Sequence, residues 1–162
     1  MKIQYLLPNK FKKIGWLIFI PVSLLGILWL IFEPLFESKL DLLEFNVFAL
    51  VSGGILNDTY VFQVIENNIL DEFIGVLFII SSIFIAFSKE KTEDEFIAMI
   101  RLESLVWATY INYGVLILAL IFVYDIPFFW VLVFNMFTTL IFFIIRYNWA
   151  LNNSKKSIEN EK

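Results

Sequence analysis

The chain has 162 residues, of which 60% are apolar, 19% aromatic and 17% charged, with a mean hydropathy of +0.80. Ordinary soluble domains are about 45–50% apolar and about 25% charged, so this balance excludes a water-soluble enzyme and a disordered chain and leaves an integral membrane protein of one domain. A net charge of −4 offers no footprint for nucleic acid, and with no Cys and no His the chain has no thiol redox site, no metal or cofactor motif and no usual general base.

A hydrocarbon layer of about 30 Å takes roughly 20 apolar residues as a helix, because every backbone N–H and C=O has to be satisfied within the segment. Four stretches qualify. Residues 14–32 follow a basic start (Lys2, Lys10, Lys12, Lys13) and end at Glu33-Pro34 without a small-residue cleavage site. They also exceed the roughly 7–15 apolar residues of a signal-peptide core, so they read as a retained anchor. An outer insert, residues 33–69, comes next. Its segments 45–52 and 59–65 are rich in Val, Phe and Tyr and flank Gly53-Gly54 and Asn57-Asp58, a pattern that predicts a β-hairpin, with an interfacial amphipathic helix as the other option. A fifth span at 42–56 is rejected: the stretch is short, holds Glu44 and Asn46, and would put one of the basic ends outside.

The second span, residues 70–87, is introduced by Asn68 as a cap, with Asp71 and Glu72 in its first turn. The third begins in water. Thr92 and Glu95 have capping-box spacing, so a helix is expected from Glu93 through the cytoplasmic loop 88–101 into a span at 102–124. The fourth covers 127–146, and because only Asp125 and Ile126 separate it from the third, the two form an antiparallel hairpin. Residues 153–162 read as a disordered polar tail. The expected fold is an all-α membrane protein: a four-transmembrane-helix bundle with a small extracytoplasmic β-hairpin or amphipathic insert between helices 1 and 2.

Positive charge sets the orientation. With the N-terminus inside, all of the 12 Lys and Arg except Lys39 fall on the cytoplasmic side: the basic start, then Lys89, Lys91 and Arg101, then Arg146, Lys155, Lys156 and Lys162. Glu33, Glu37, Asp41, Glu44, Asp58, Glu66, Asp71, Glu72 and Asp125 make the outer face acidic. Trp16, Trp107 and Trp149 then lie at the inner boundary and Trp29 and Trp130 at the outer, as aromatic belts. Both termini are expected in the cytoplasm, and residue usage heavy in Phe, Ile, Asn and Lys points to a bacterial inner membrane.

Two constellations carry possible chemistry. Ser81 and Ser82 of span two fall level with Asn112 and Tyr113 of span three, and the short turn brings Asn112 opposite Thr139. Along span three the stripe Arg101, Ser104, Ala108, Asn112 steps by three or four residues, and along span four Asn135, Thr139, Phe142, Arg146 does the same, so the stripes can face each other. Such a polar layer is either interhelical glue, at about 0.6–2 kcal/mol per hydrogen bond, or the lining of a small-solute or lipid site. No ionisable residue falls at the centre of a span, which argues against ion-coupled transport.

The other constellation is the cytoplasmic entry to span three. Glu93, Asp94 and Glu95 put acid in the first helical turn, and Phe96, Ile97 and Ile100 are expected to be exposed above the membrane, a docking surface that ends at Arg101. Arg101 with Arg146 is also placed to hold an anionic lipid headgroup. A Ser nucleophile without a base is inert, so a non-catalytic role is expected.

The strings ENNILDEFIG, FSKEKTEDEFIAMIRLESLVWATYINY and FNMFTTLIFFIIRYN resemble a group of small bacterial inner-membrane proteins with four spans, over Glu66 to Asn152. Proteins of that kind resemble ones encoded beside small helix-turn-helix regulators, and the resemblance implies a membrane-bound partner or modulator. The expected function is an accessory or regulatory subunit that binds a membrane or cytoplasmic protein through its helix entry. The alternative is a small-solute or lipid carrier that uses the polar layer.

Overall fold

The computed structural model describes residues 5–36, 44–52 and 60–160. The protein is mostly helical: α1 (Asn9–Phe36), β1 (Glu44–Ser52), β2 (Tyr60–Asn68), α2 (Leu70–Ala86), α3 (Glu95–Phe122) and α4 (Ile126–Asn160). Three helices are long and apolar enough to cross a membrane, over Asn9–Ile31, Glu95–Phe122 and Ile126–Ser154. The chain divides into two compact units, one holding residues 5–19 and 79–160 and the other residues 20–78 as far as they are described.

In the second unit, β1 and β2 pair antiparallel from Glu44↔Asn68 to Ser52↔Tyr60. This is the expected hairpin, with the first strand beginning one residue earlier and the second beginning one residue later and running three residues further. The ladder skips Leu50 and Phe62, where Phe62 takes a left-handed φ of 57° that a bulky side chain tolerates poorly. The strand leads directly into α2, where the Asn68 side chain accepts a hydrogen bond from the Leu70 N–H at 3.1 Å and so caps the helix as its position predicts. The Gly53-Gly54 and Asn57-Asp58 turn lies outside the described residues. So do Lys2, Glu37, Lys39, Asp41, Asp58 and Lys162.

In the first unit, α3 and α4 form an antiparallel pair joined through Val123, Tyr124 and Asp125. Asp125 reverses the chain at φ 60°, a conformation Asp accepts more readily than most residues, and its carbonyl accepts from the Phe128 N–H at 3.0 Å. The core gathers Ile85 and Ala86 of α2, Ile97, Ile100 and Ala108 of α3, and Phe143, Ile144, Tyr147 and Leu151 of α4. Gly15 is buried, and a methyl group there would stand 2.9 Å from Ile85 Cγ1 and 3.0 Å from both Phe84 Cβ and the Ser81 carbonyl oxygen. Only a glycine permits so close an approach of α1 to α2.

Three expectations are corrected. α3 begins at Glu95 rather than Glu93: its N-cap is Asp94, whose carboxylate accepts from the Ile97 N–H at 2.8 Å, and Thr92 does not serve as the cap. Ile97 and Ile100 are buried, because they point into the core between α2 and α4. α4 runs as helix to Asn160, where a disordered tail was expected from Asn153; adding residues to an existing helix is far easier than starting one, and Leu151 anchors this stretch in the core.

Candidate functional site

The predicted face of α3 is the one that is buried: Arg101, Ser104, Ala108 and Asn112 all lie inside. On α4 the buried face is turned by about one residue from the expected stripe. Asn135 and Thr139 are half-buried, but Phe143 and Tyr147 occupy the interior in place of Phe142 and Arg146.

The polar layer closes on itself. Asn135 donates to Asn112 Oδ1 at 3.2 Å, Asn112 donates in return to Asn135 Oδ1 at 3.4 Å, and the Thr138 hydroxyl also donates to Asn112 Oδ1. Thr138, not Thr139, is therefore the third member. Tyr113 points outward and is exposed, while Ser81 and Ser82 are buried on α2, the Ser82 hydroxyl without a hydrogen-bond partner. Asn112→Leu is expected to lower stability by about 1–2 kcal/mol, and the double variant with Asn135→Leu by less than the sum of the two single changes. Unfolding of the purified protein in detergent measures both. A carrier using this layer would instead lose ligand uptake with its stability unchanged.

A second polar cluster, which sequence spacing does not disclose, sits where the chain enters α3. Arg101 is 4% exposed, and its two terminal nitrogens are engaged. Nη1 donates to Glu93 Oε1 at 2.6 Å; Nη2 donates to Glu93 Oε2 at 3.2 Å, to the Tyr147 hydroxyl at 3.1 Å and to the Ser88 carbonyl at 3.3 Å. Tyr147, fully buried, donates onward to Glu90 Oε1 at 3.0 Å, and Glu90 is the ion-pair partner of Lys12. The Lys12 ammonium and the Arg101 guanidinium each stand 5.3 Å from the centre of the Tyr147 ring, within cation–π range. Phe87, Phe143 and Tyr147 stack in sequence at 5.7 Å spacings. Arg101 Nε and the Ser88 hydroxyl lack a hydrogen-bond partner.

Backbone contacts extend this clasp. The Leu7 N–H donates to the Phe87 carbonyl at 2.9 Å, the Lys89 N–H donates to the Leu7 carbonyl at 2.8 Å, and the Asn9 amide donates to the Lys89 carbonyl at 2.6 Å. Two cations and two carboxylates thus join α1, the loop after α2, α3 and α4 in one charge-balanced network. Within it, burial raises the pKa of Glu93. That effect is outweighed by the Arg101 hydrogen bond, the Glu90 N–H and the charges of Arg101 and Lys89, so the carboxyl titrates below its ordinary value of 4.5.

The docking candidates therefore separate. Glu93 and Arg101 are turned inward and bound to each other, and Asp94 caps the helix, whereas Glu95 and Phe96 are exposed. Arg146 lies away from Arg101, with its guanidinium 5.8 Å from the Trp107 ring and 4.9 Å from the Trp149 ring. Among the described residues no group of His, Cys, Asp and Glu could hold a metal ion. Comparison with protein-family models, with curated proteins and with solved structures finds no match.

Proposed function

We propose that this chain is a non-catalytic, four-span protein of a bacterial inner membrane, with both termini cytoplasmic, that acts as an accessory or regulatory subunit. The fourth crossing is assigned to α2. Its 17 residues amount to about 26 Å, close to the thickness of the hydrocarbon layer, and after Asp71 and Glu72 the run to Phe87 carries no charge. With that crossing counted, the basic residues fall inside and the hairpin outside.

The observation that carries the functional reading is the way the entry to α3 is built. Lys91, Thr92, Asp94, Glu95 and Phe96 are exposed, yet the segment is fixed from beneath by the Glu93–Arg101 pair and the Asp94 cap. A polar surface with one aromatic anchor, held rigid before contact, loses little conformational freedom on binding. The polar groups of α3 and α4 pair with one another, which favours glue over a solute pathway for the mid-helix layer.

Because Glu93 and Asp94 hold the local fold, the test uses their exposed neighbours. Glu95→Lys combined with Phe96→Ser is expected to remove a protein that co-purifies with the full chain from native membranes, while the melting temperature stays within a few degrees. Co-purification at the original yield with both changes in place rejects the proposed surface.

A further inference from the structure

α3 and α4 leave an open cleft of about 380 Å³ on the outside of their pair, lined by Trp107, Ile145, Arg146 and Trp149. Its centre is a cation. Arg146 reaches over both indole rings, and among the described residues its guanidinium makes no hydrogen bond and no ion pair. Glu103 lies one helical turn from Trp107 on α3, without an ion pair to Arg146. The contrast with Arg101 is direct, since that guanidinium is buried against Glu93.

An arginine fork stacked between aromatic faces keeps its N–H groups free to grip a planar or tetrahedral anion. The walls of the cleft decide which anion. Trp107, Ile145 and Trp149 are exposed apolar residues, and they lie on the segments Glu95–Phe122 and Ile126–Ser154 that are long and apolar enough to cross a bilayer. A soluble anion would have to reach a surface that lipid covers, whereas the phosphate of a phospholipid is already there. The two Trp side chains suit the same level, where the aromatic body sits among acyl carbons and the indole N–H meets headgroups.

We infer that Arg146, Trp107 and Trp149 form a binding site for the phosphate-bearing headgroup of an anionic phospholipid. The inference rests on the reading above that α3 and α4 cross a bilayer, with this end of the pair at the cytoplasmic leaflet.

The test compares retention of phosphatidylglycerol and phosphatidylcholine by the full chain in native mass spectrometry from mixed-lipid nanodiscs. The original chain is expected to retain phosphatidylglycerol in preference. Arg146→Gln should reduce that preference about tenfold, the equivalent of one charge-assisted hydrogen bond. Arg146→Lys keeps the charge but loses the stacked fork, and Trp149→Leu loses one face; both should fall in between, with unchanged melting temperature. Equal preference in Arg146→Gln and the original chain overturns the site. Displacement of the lipid by millimolar inorganic phosphate also overturns it, in favour of a soluble anion. Release of the chain from native membranes by alkaline carbonate without detergent would instead refute the membrane reading itself, a result independent of the variants.

Discussion

Arg101→Met is expected to destabilise the protein by about 3 kcal/mol, read as a shift in the unfolding midpoint of the purified chain in detergent. Removing one partner of a buried ion pair typically costs about 3–5 kcal/mol, since the remaining charge stays buried without compensation. Here the stranded group, Glu93, is 23% exposed and regains some water, which places the loss at the low end. The Tyr147 hydroxyl loses one bond but keeps its contact with Glu90. Adding Glu93→Gln to Arg101→Met should recover a large part of the loss, because no carboxylate is then left alone; two independent losses that simply add would contradict the clasp.

The same pair gives an acid limb of fixed sign. Glu93 titrates below 4.5 in the folded chain, so between its folded and unfolded values the unfolded chain binds more protons and stability rises with pH. Its contribution is complete above the ordinary carboxylate value and is lost as pH falls through the lower folded value. Glu93→Gln should therefore flatten the stability profile below about pH 4.5 and leave its shape near neutrality unchanged.

Gly15→Leu is the second large effect, expected at about 3 kcal/mol or more, or failure of the chain to accumulate. The reason is steric. The first added carbon already falls within 3.0 Å of Phe84, Ile85 and the Ser81 carbonyl, and the last of these belongs to the backbone of α2 and cannot rotate away. Gly15→Ala is a weaker probe: better helix propensity returns up to about 1 kcal/mol against an overpacking cost of about 1–3 kcal/mol. Leu extends the clash beyond any such offset. Gly26, where a methyl group would lie 3.5 Å from Ile74, is the matched control, and Gly26→Ala should leave the midpoint unchanged or slightly raised.

The sequence makes some of this legible and hides the rest for geometric reasons. The apolar runs, the hairpin strands, the Asn68 cap and the buried stripe from Arg101 to Asn112 all follow from periodicities of 2 or 3.6, which local sequence carries. Neighbouring positions on a helix differ by about 100°, so an error of one residue in register exchanges Thr138 for Thr139 and Tyr147 for Arg146. Register between α3 and α4 is set by how their side chains interlock, and no spacing rule contains that. Glu93 is harder still: it reads as an acid at a helix start but folds back to a guanidinium eight positions on, beyond the i+3 and i+4 reach of a helix, through a loop that is not helical. Ile97 and Ile100 look exposed for the same reason, since the elements that cover them come from distant parts of the chain.

The clasp also dictates an order of assembly. Lys12, Glu90 and Arg101 each contact Tyr147, which emerges from the ribosome after every one of them. Until that tyrosine arrives, Lys12 can meet Glu90 and Arg101 can meet Glu93, but the hydroxyl that links the two ion pairs is absent. Closure joins residues as far apart as 12 and 147, so it is a late, long-range event that waits for the last helix.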